Sequence, residues 1–269
     1  MTVTREVVYD VDGQTTVAHL AHPDGVGPWP AVLIGHDGIG LEGYQRRRAD
    51  ILAEHGYAAL AFDYHAGRTY FGQPQAMLER VLPLLGDPAR MQAIGRAGLD
   101  ALLAVAGVDG QRIAALGYGA GGRIVLELAR TGAPFVAVAV VHPGLPEPRA
   151  DDWADVTAAF WLCTGSQDPL CTPAQLLTFG SALQDAGADW RVTVYGGAQH
   201  AFWAAPTRTG GGGSDGGPPD GPDHAVATVP GVGYHGAHAA RAWNAILTLF
   251  DDTLRSTGLG ERTRHTDVP

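Results

Sequence analysis

The chain has little cysteine, no excess of positive charge and no long apolar run. Only Cys163 and Cys171 occur among 269 residues, too few for a disulfide framework or a cysteine-built metal site, and both read as packing residues. Basic residues number 18 against 28 acidic ones. They are scattered along the chain, which argues against a polyanionic partner such as nucleic acid. Apolar stretches break well before the ~18 residues that a membrane-spanning helix needs. The segment Met1 to Gly13 carries no basic stretch followed by an apolar one. A membrane partner is therefore not expected, a cytoplasmic location is, and the oligomeric state stays open.

What the chain does have is alternation. Glu6 to Val11 and Thr15 to Ala21 flank Asp12-Gly13, a strong hairpin signal. Pro30 to Gly35 is a short continuous apolar run, as expected of a strand covered on both faces, and Tyr44 to His55 has helical spacing that ends at Gly56. Ala58 to Tyr64 reads as the next strand. The helical stretch from Pro74 towards Ala106 should break between Pro83 and Pro88, where proline removes a donor and clashes with the preceding turn. Strands follow at Ile113–Tyr118, Phe135–His142, Ala159–Thr164 and Trp190–Tyr195, with helices at Gly119–Arg130, Pro173–Ala186 and Gly236–Leu254. Repeated strand-helix units imply one α/β domain with a mostly parallel sheet of about eight strands and helices on both faces. The segment 207–230 is rich in Gly, Pro and Asp and reads as a mobile loop, a surface insertion or a lid.

The segment Arg112 to Leu126 joins a buried strand to a helix through Gly117-Tyr-Gly-Ala-Gly-Gly122, the context of a hydrolase nucleophile elbow. The central position of that pattern is Gly119, which has no side-chain atom able to attack a carbonyl. Further on, Asp168 follows one strand end and His200 follows the next. Elbow, acid, histidine is the chain order of an α/β-hydrolase triad. A carboxylate there fixes the imidazole tautomer and leaves the other ring nitrogen free as a general base. The loop Gly35 to Leu41 and the residue after the elbow would supply oxyanion-hole N–H groups, from Gly38 and Ala120. Asp37 reads either as a site residue or as an N-cap for the following helix. Ile39, Tyr64, His65, Arg68, Tyr118, Phe202 and Trp203 adjoin these strand ends and are expected to contact a small-molecule substrate. No cofactor is expected. There is no metal-ligand spacing, and the Gly117–Gly122 run lacks the acidic residue that a dinucleotide fingerprint places about 20 positions on.

Taken together, Gly35 to Leu41, Asp63-Tyr-His, Leu116 to Gly122, Thr164 to Pro169, Gly197 to Phe202 and Gly231-Val-Gly-Tyr234 resemble the dienelactone hydrolase family over nearly the whole chain. The resemblance implies an α/β-hydrolase fold and the opening of lactones or esters, typically through a cysteine in G-x-C-x-G-G. That cysteine would fall at Gly119, with Asp168 and His200 completing the triad and Asp37 matching the acid that meets the resting thiol. Two departures stand out. Ala120 replaces a larger apolar residue, and of the family's two carboxylate-binding arginines Arg68 matches only roughly, while Ala204 stands at the other position. Three readings follow: general-base chemistry by His200 and Asp168 on a small carbonyl or lactone compound (hydrolysis, cyclisation, elimination or isomerisation), a non-catalytic binder, or an engineered nucleophile knockout.

Overall fold

The computed structural model describes residues 1–147, 153–204 and 230–255; the expected loop at 207–230 lies outside the described residues except for Pro230. The chain opens with β1 (Thr2–Val11) and β2 (Gln14–Pro23), an antiparallel pair. Their two-residue connection, Asp12-Gly13, has φ of 55° and 73°, as a type I′ turn requires. The first strand starts earlier than its apolar pattern suggests. Thr2 to Arg5 are exposed and become strand because β2 pairs with them.

Six further strands run parallel: β3 (Trp29–Gly35), β4 (Ala58–Phe62), β5 (Val108–Tyr118), β6 (Phe135–Val141), β7 (Ala159–Gly165) and β8 (Trp190–Tyr195). The sheet order is β1-β2-β4-β3-β5-β6-β7-β8. The helices are α1 (Gly43–Glu54), α2 (Pro74–Leu85), α3 (Pro88–Leu103), α4 (Gly119–Arg130), α5 (Pro173–Asp185) and α6 (Gly236–Leu254). The expected break falls at Gly86-Asp87, where the Asp87 carboxylate caps α3 by accepting from the Arg90 N–H at 3.0 Å. Pro83 is tolerated inside the last turn of α2. No helix among the described residues is long and apolar enough to cross a membrane.

Strand alternation divides the core in two. Ala31 and Leu33 of β3, with Ile113 and Ala115 of β5, join Met91, Ile124 and Leu176 from α3, α4 and α5 on one face. Val32, Ile34, Ala114 and Leu116 join Leu52 of α1 and Ile246 of α6 on the other. This is the period-two consequence of the pleat. Each strand buried on both faces needs an apolar residue at every position.

The strand-to-helix corner at β5–α4 is held by backbone approach. A β-carbon at Gly121 would lie 2.1 Å from the His36 carbonyl oxygen and 2.4 Å from the Gly35 carbonyl carbon. One at Gly117 would lie 2.4 Å from the Gly122 Cα. No side chain fits in either place, and the flanking backbone has little freedom to yield. Gly119 differs: its φ is +50°, and a β-carbon there would meet nothing closer than 3.4 Å. Gly121→Ala is thus expected to cost about 3 kcal/mol through overpacking, whereas Gly119→Ala should cost only about 1–2 kcal/mol for the left-handed backbone. Urea denaturation of both variants measures the difference.

Candidate active site

Asp168 follows the C-terminal end of β7 and is buried. Its Oδ1 accepts from the Leu170 and Cys171 N–H groups at 2.8 and 2.9 Å, while Oδ2 accepts from His200 Nδ1 at 2.9 Å. Burial alone would push this carboxyl up. The His200 hydrogen bond and charge, with the Cys171 N–H, more than offset it and hold Asp168 below the usual carboxylate range. His200, half-buried, is pinned through its backbone to Gly231 and Gly233 at 2.9 and 3.0 Å. Donation from Nδ1 to the carboxylate leaves Nε2 as the free ring nitrogen.

Gly119 opens α4 immediately after Tyr118, and no side chain caps that helix. Its first N–H groups, Ala120's among them, therefore have no intrahelical acceptor. A β-carbon at Gly119 would lie 3.5 Å from Asp37 Cβ and 3.4 Å from His142 Cε1. The His142 ring in turn lies 4.2 Å, centroid to centroid, from His200. The structure thus brings Gly119, Asp37 and His200 together through His142, a residue that sequence reasoning placed only as the end of a strand. The strand stops at Val141, and His142 leaves it with φ +40°.

Asp37 does not cap a helix. Glu42 occupies the N-cap of α1, its N–H donating to Gln45 Oε1 at 3.3 Å. The Asp37 carboxylate instead accepts from the Ile39 N–H at 2.8 Å within its own loop, and burial pushes its pKa up. The Ile39 carbonyl accepts from the Tyr70 N–H at 2.7 Å. Below this loop, the Tyr64 hydroxyl reaches the His36 and Asp37 carbonyls at 3.0 and 2.8 Å. His65 Nε2 contacts the Gly38 carbonyl at 3.1 Å, and His65 Nδ1 accepts from Arg80 Nε at 3.3 Å. Tyr64 and His65 are buried, with their polar atoms spent on fixing the loop. In this structure both hold the Asp37–Gly38 loop in place.

Phe202 is fully buried against Tyr195, 5.2 Å between ring centroids. Arg68 is exposed, and its backbone lies against Gly40. The Tyr118 and Trp203 rings lie 4.3 Å apart, tilted at 37°, beside the corner, and the Trp203 indole N–H donates to His142 Nε2. The two thiols are buried, and burial pushes Cys171 up to about 12 and Cys163 well above the ordinary range. Neither is a reactive thiolate at neutral pH. Among the described residues no group of three or more His, Cys, Asp or Glu is placed to hold a metal ion.

The profile of the dienelactone hydrolase family matches residues 17–254. The chain belongs to this family. Its likeness to solved members is close: m3DLH is 31% identical with a TM-score of 0.80, covering 94% of this chain and 99% of that one. A dienelactone hydrolase-like promiscuous phosphotriesterase from metagenomic libraries is 29% identical, also at 0.80, covering 94% and 98%. The probable 2-oxo-3-(5-oxofuran-2-ylidene)propanoate lactonase of Bradyrhizobium sp is 28% identical over 201 residues, 71% of this chain and 80% of its own. Family membership and the eight-stranded α/β-hydrolase sheet agree with the resemblance read from the motifs.

Burial gives the supporting loop a pH signature. It lowers His65 to about 3, below the ~6.5 of an unfolded histidine. The unfolded chain therefore takes up a proton that the folded chain refuses, so stability is full above about pH 6.5 and falls as pH drops towards 3. His65→Gln is expected to flatten the fall in the urea midpoint between about pH 7.5 and 5.5.

Proposed function

We propose that the chain is a hydrolase of small lactones or related esters in which water, activated by His200, replaces a side-chain nucleophile. One observation carries this reading: an imidazole oriented by Asp168 at 2.9 Å stands in one cluster with an elbow residue that has no side chain. Cys171 keeps its proton, and the sequence contains no lysine, so a Schiff base is closed as well. The lactonase name of the Bradyrhizobium relative and the family itself favour hydrolysis over cyclisation, elimination or isomerisation.

In the reaction, a water oxygen attacks the lactone carbonyl carbon as its proton passes to His200 Nε2. Asp168 stabilises the imidazolium without taking the proton. The N–H groups of Gly38 and Ala120 receive the developing oxyanion. The tetrahedral adduct then collapses, the ring C–O bond breaks, and His200 returns its proton to the departing alkoxide. The product is the open hydroxy acid.

His200→Ala is expected to lower kcat for dihydrocoumarin hydrolysis roughly 10²- to 10⁴-fold with KM little changed, since the lost interaction belongs to the transition state. Retention of full turnover would remove the base from the mechanism. Gly119→Cys, at about 1–2 kcal/mol of backbone cost, should gain a burst on p-nitrophenyl acetate that stopped-flow absorbance resolves.

A further inference from the structure

His142 is buried, 2% exposed, at the end of β6 and beside the elbow. Its backbone N–H donates to the Cys163 carbonyl at 2.7 Å, and the neighbouring Gly144 N–H bonds the Gly119 carbonyl at 3.3 Å. The backbone that carries the ring is therefore anchored to both β7 and the corner. An indole N–H can only donate, so the Trp203 contact requires a lone pair on His142 Nε2. A neutral ring with a lone pair at Nε2 carries its proton at Nδ1. A second proton at Nε2 would face the indole N–H head-on, and both burial and the nearby His200 also keep the ring neutral.

Nδ1–H is thus an obligate donor, and it has no hydrogen-bond partner among the described residues. Leaving such a group buried and unpaired costs about 1–3 kcal/mol, which a structure retains where a ligand completes it. The atom lies 3.7 Å from the place a Gly119 β-carbon would occupy, and its ring centroid lies 4.2 Å from that of His200. Resting on the hydrolytic reading above, we infer that His142 is a second catalytic imidazole: its Nδ1–H donates to the oxygen of the attacking water while His200 Nε2 accepts that water's proton.

The two rings then have fixed and opposite roles. His142 never gains or loses a proton, because Trp203 holds its tautomer; His200 cycles, because Asp168 stabilises its charged form. A water oxygen accepting from one and donating to the other has a lone pair left to reach the carbonyl carbon. A residue without a side chain at position 119 leaves that oxygen room. The geometry accounts for why Trp203, though buried, bears on the reaction: it acts on His142 as a positioning residue.

The tautomer is tested without any substrate. In the full chain labelled with 15N-histidine, two-bond correlations should show His142 with a protonated Nδ1 and an unprotonated Nε2 at neutral pH, and Trp203→Phe should move the Nε2 resonance. The reverse tautomer in the wild type would overturn the inference. The kinetic test uses the Gly119→Cys background on p-nitrophenyl acetate, where the thiol performs the first step and water only the second. Adding His142→Phe should leave the burst rate within about twofold and slow the steady state roughly 10²- to 10³-fold, the loss typical of one misplaced donor. His142→Asn, which keeps a donor near the Nδ1 position, should recover part of that loss and serves in place of the Phe variant if the latter does not fold. Equal slowing of both phases would place the donor on the substrate oxygen and overturn the water role, and no change in either phase would overturn any role. Absence of a burst in Gly119→Cys would defeat the inference together with the hydrolytic reading. Failure of the wild type alone on dihydrocoumarin would defeat only that reading, since the double variants still report on the water step.

Discussion

The site depends on how closely the first turn of α4 lies against the ends of β3 and β5. With the would-be β-carbon of Gly121 only 2.1 Å from the His36 carbonyl, helix and strands meet backbone to backbone, and the corner between them has one available conformation. Two residues before that contact Gly119 is left-handed and opens a helix that no side chain caps, and the contact itself fixes the neighbouring Asp37–Gly38 loop from one side. Tyr64, His65 and Arg80 fix it from the other. A strained corner normally exists to present a side chain. Here the constraint is kept and the side chain is absent, so the corner's remaining use is to shape a space.

Around that space the protein has divided acid-base roles by environment. Asp168, held below its ordinary range by the His200 proton and backbone N–H groups, keeps a negative charge that suits a ring which must become positive. His142, buried and facing an indole N–H, can only stay neutral. Two imidazoles 4.2 Å apart would repel if both were protonated, and the arrangement avoids this by giving only one of them a counter-ion. In the proposed mechanism a difference in partner, not in side chain, decides which histidine is the base.

Most of the scaffold was legible because both-face burial writes itself as continuous apolar runs and proline and glycine mark the ends. The bounds of β8 and α6 coincide with their pattern. Gly119, Asp168 and His200 were readable as features in order at the ends of β5, β7 and β8. The first four residues of β1 were not, because their strand character comes from pairing with β2. The burial of Tyr64 and Phe202 was not readable for a related reason: proximity to a strand end says nothing about which way the next residue turns, and both turn inward. His142 was hidden most fully. It closes an apolar run like any strand-terminal residue, and its role depends on an indole that arrives 61 positions later in the chain.

The central claim is that no bond forms between protein and substrate. The most direct measurement is the intact mass of the wild-type protein, acid-quenched during steady-state hydrolysis of dihydrocoumarin. The account predicts the unmodified mass at every time point. A population heavier by one acyl group would contradict it and would show that a side chain, not water, makes the first attack.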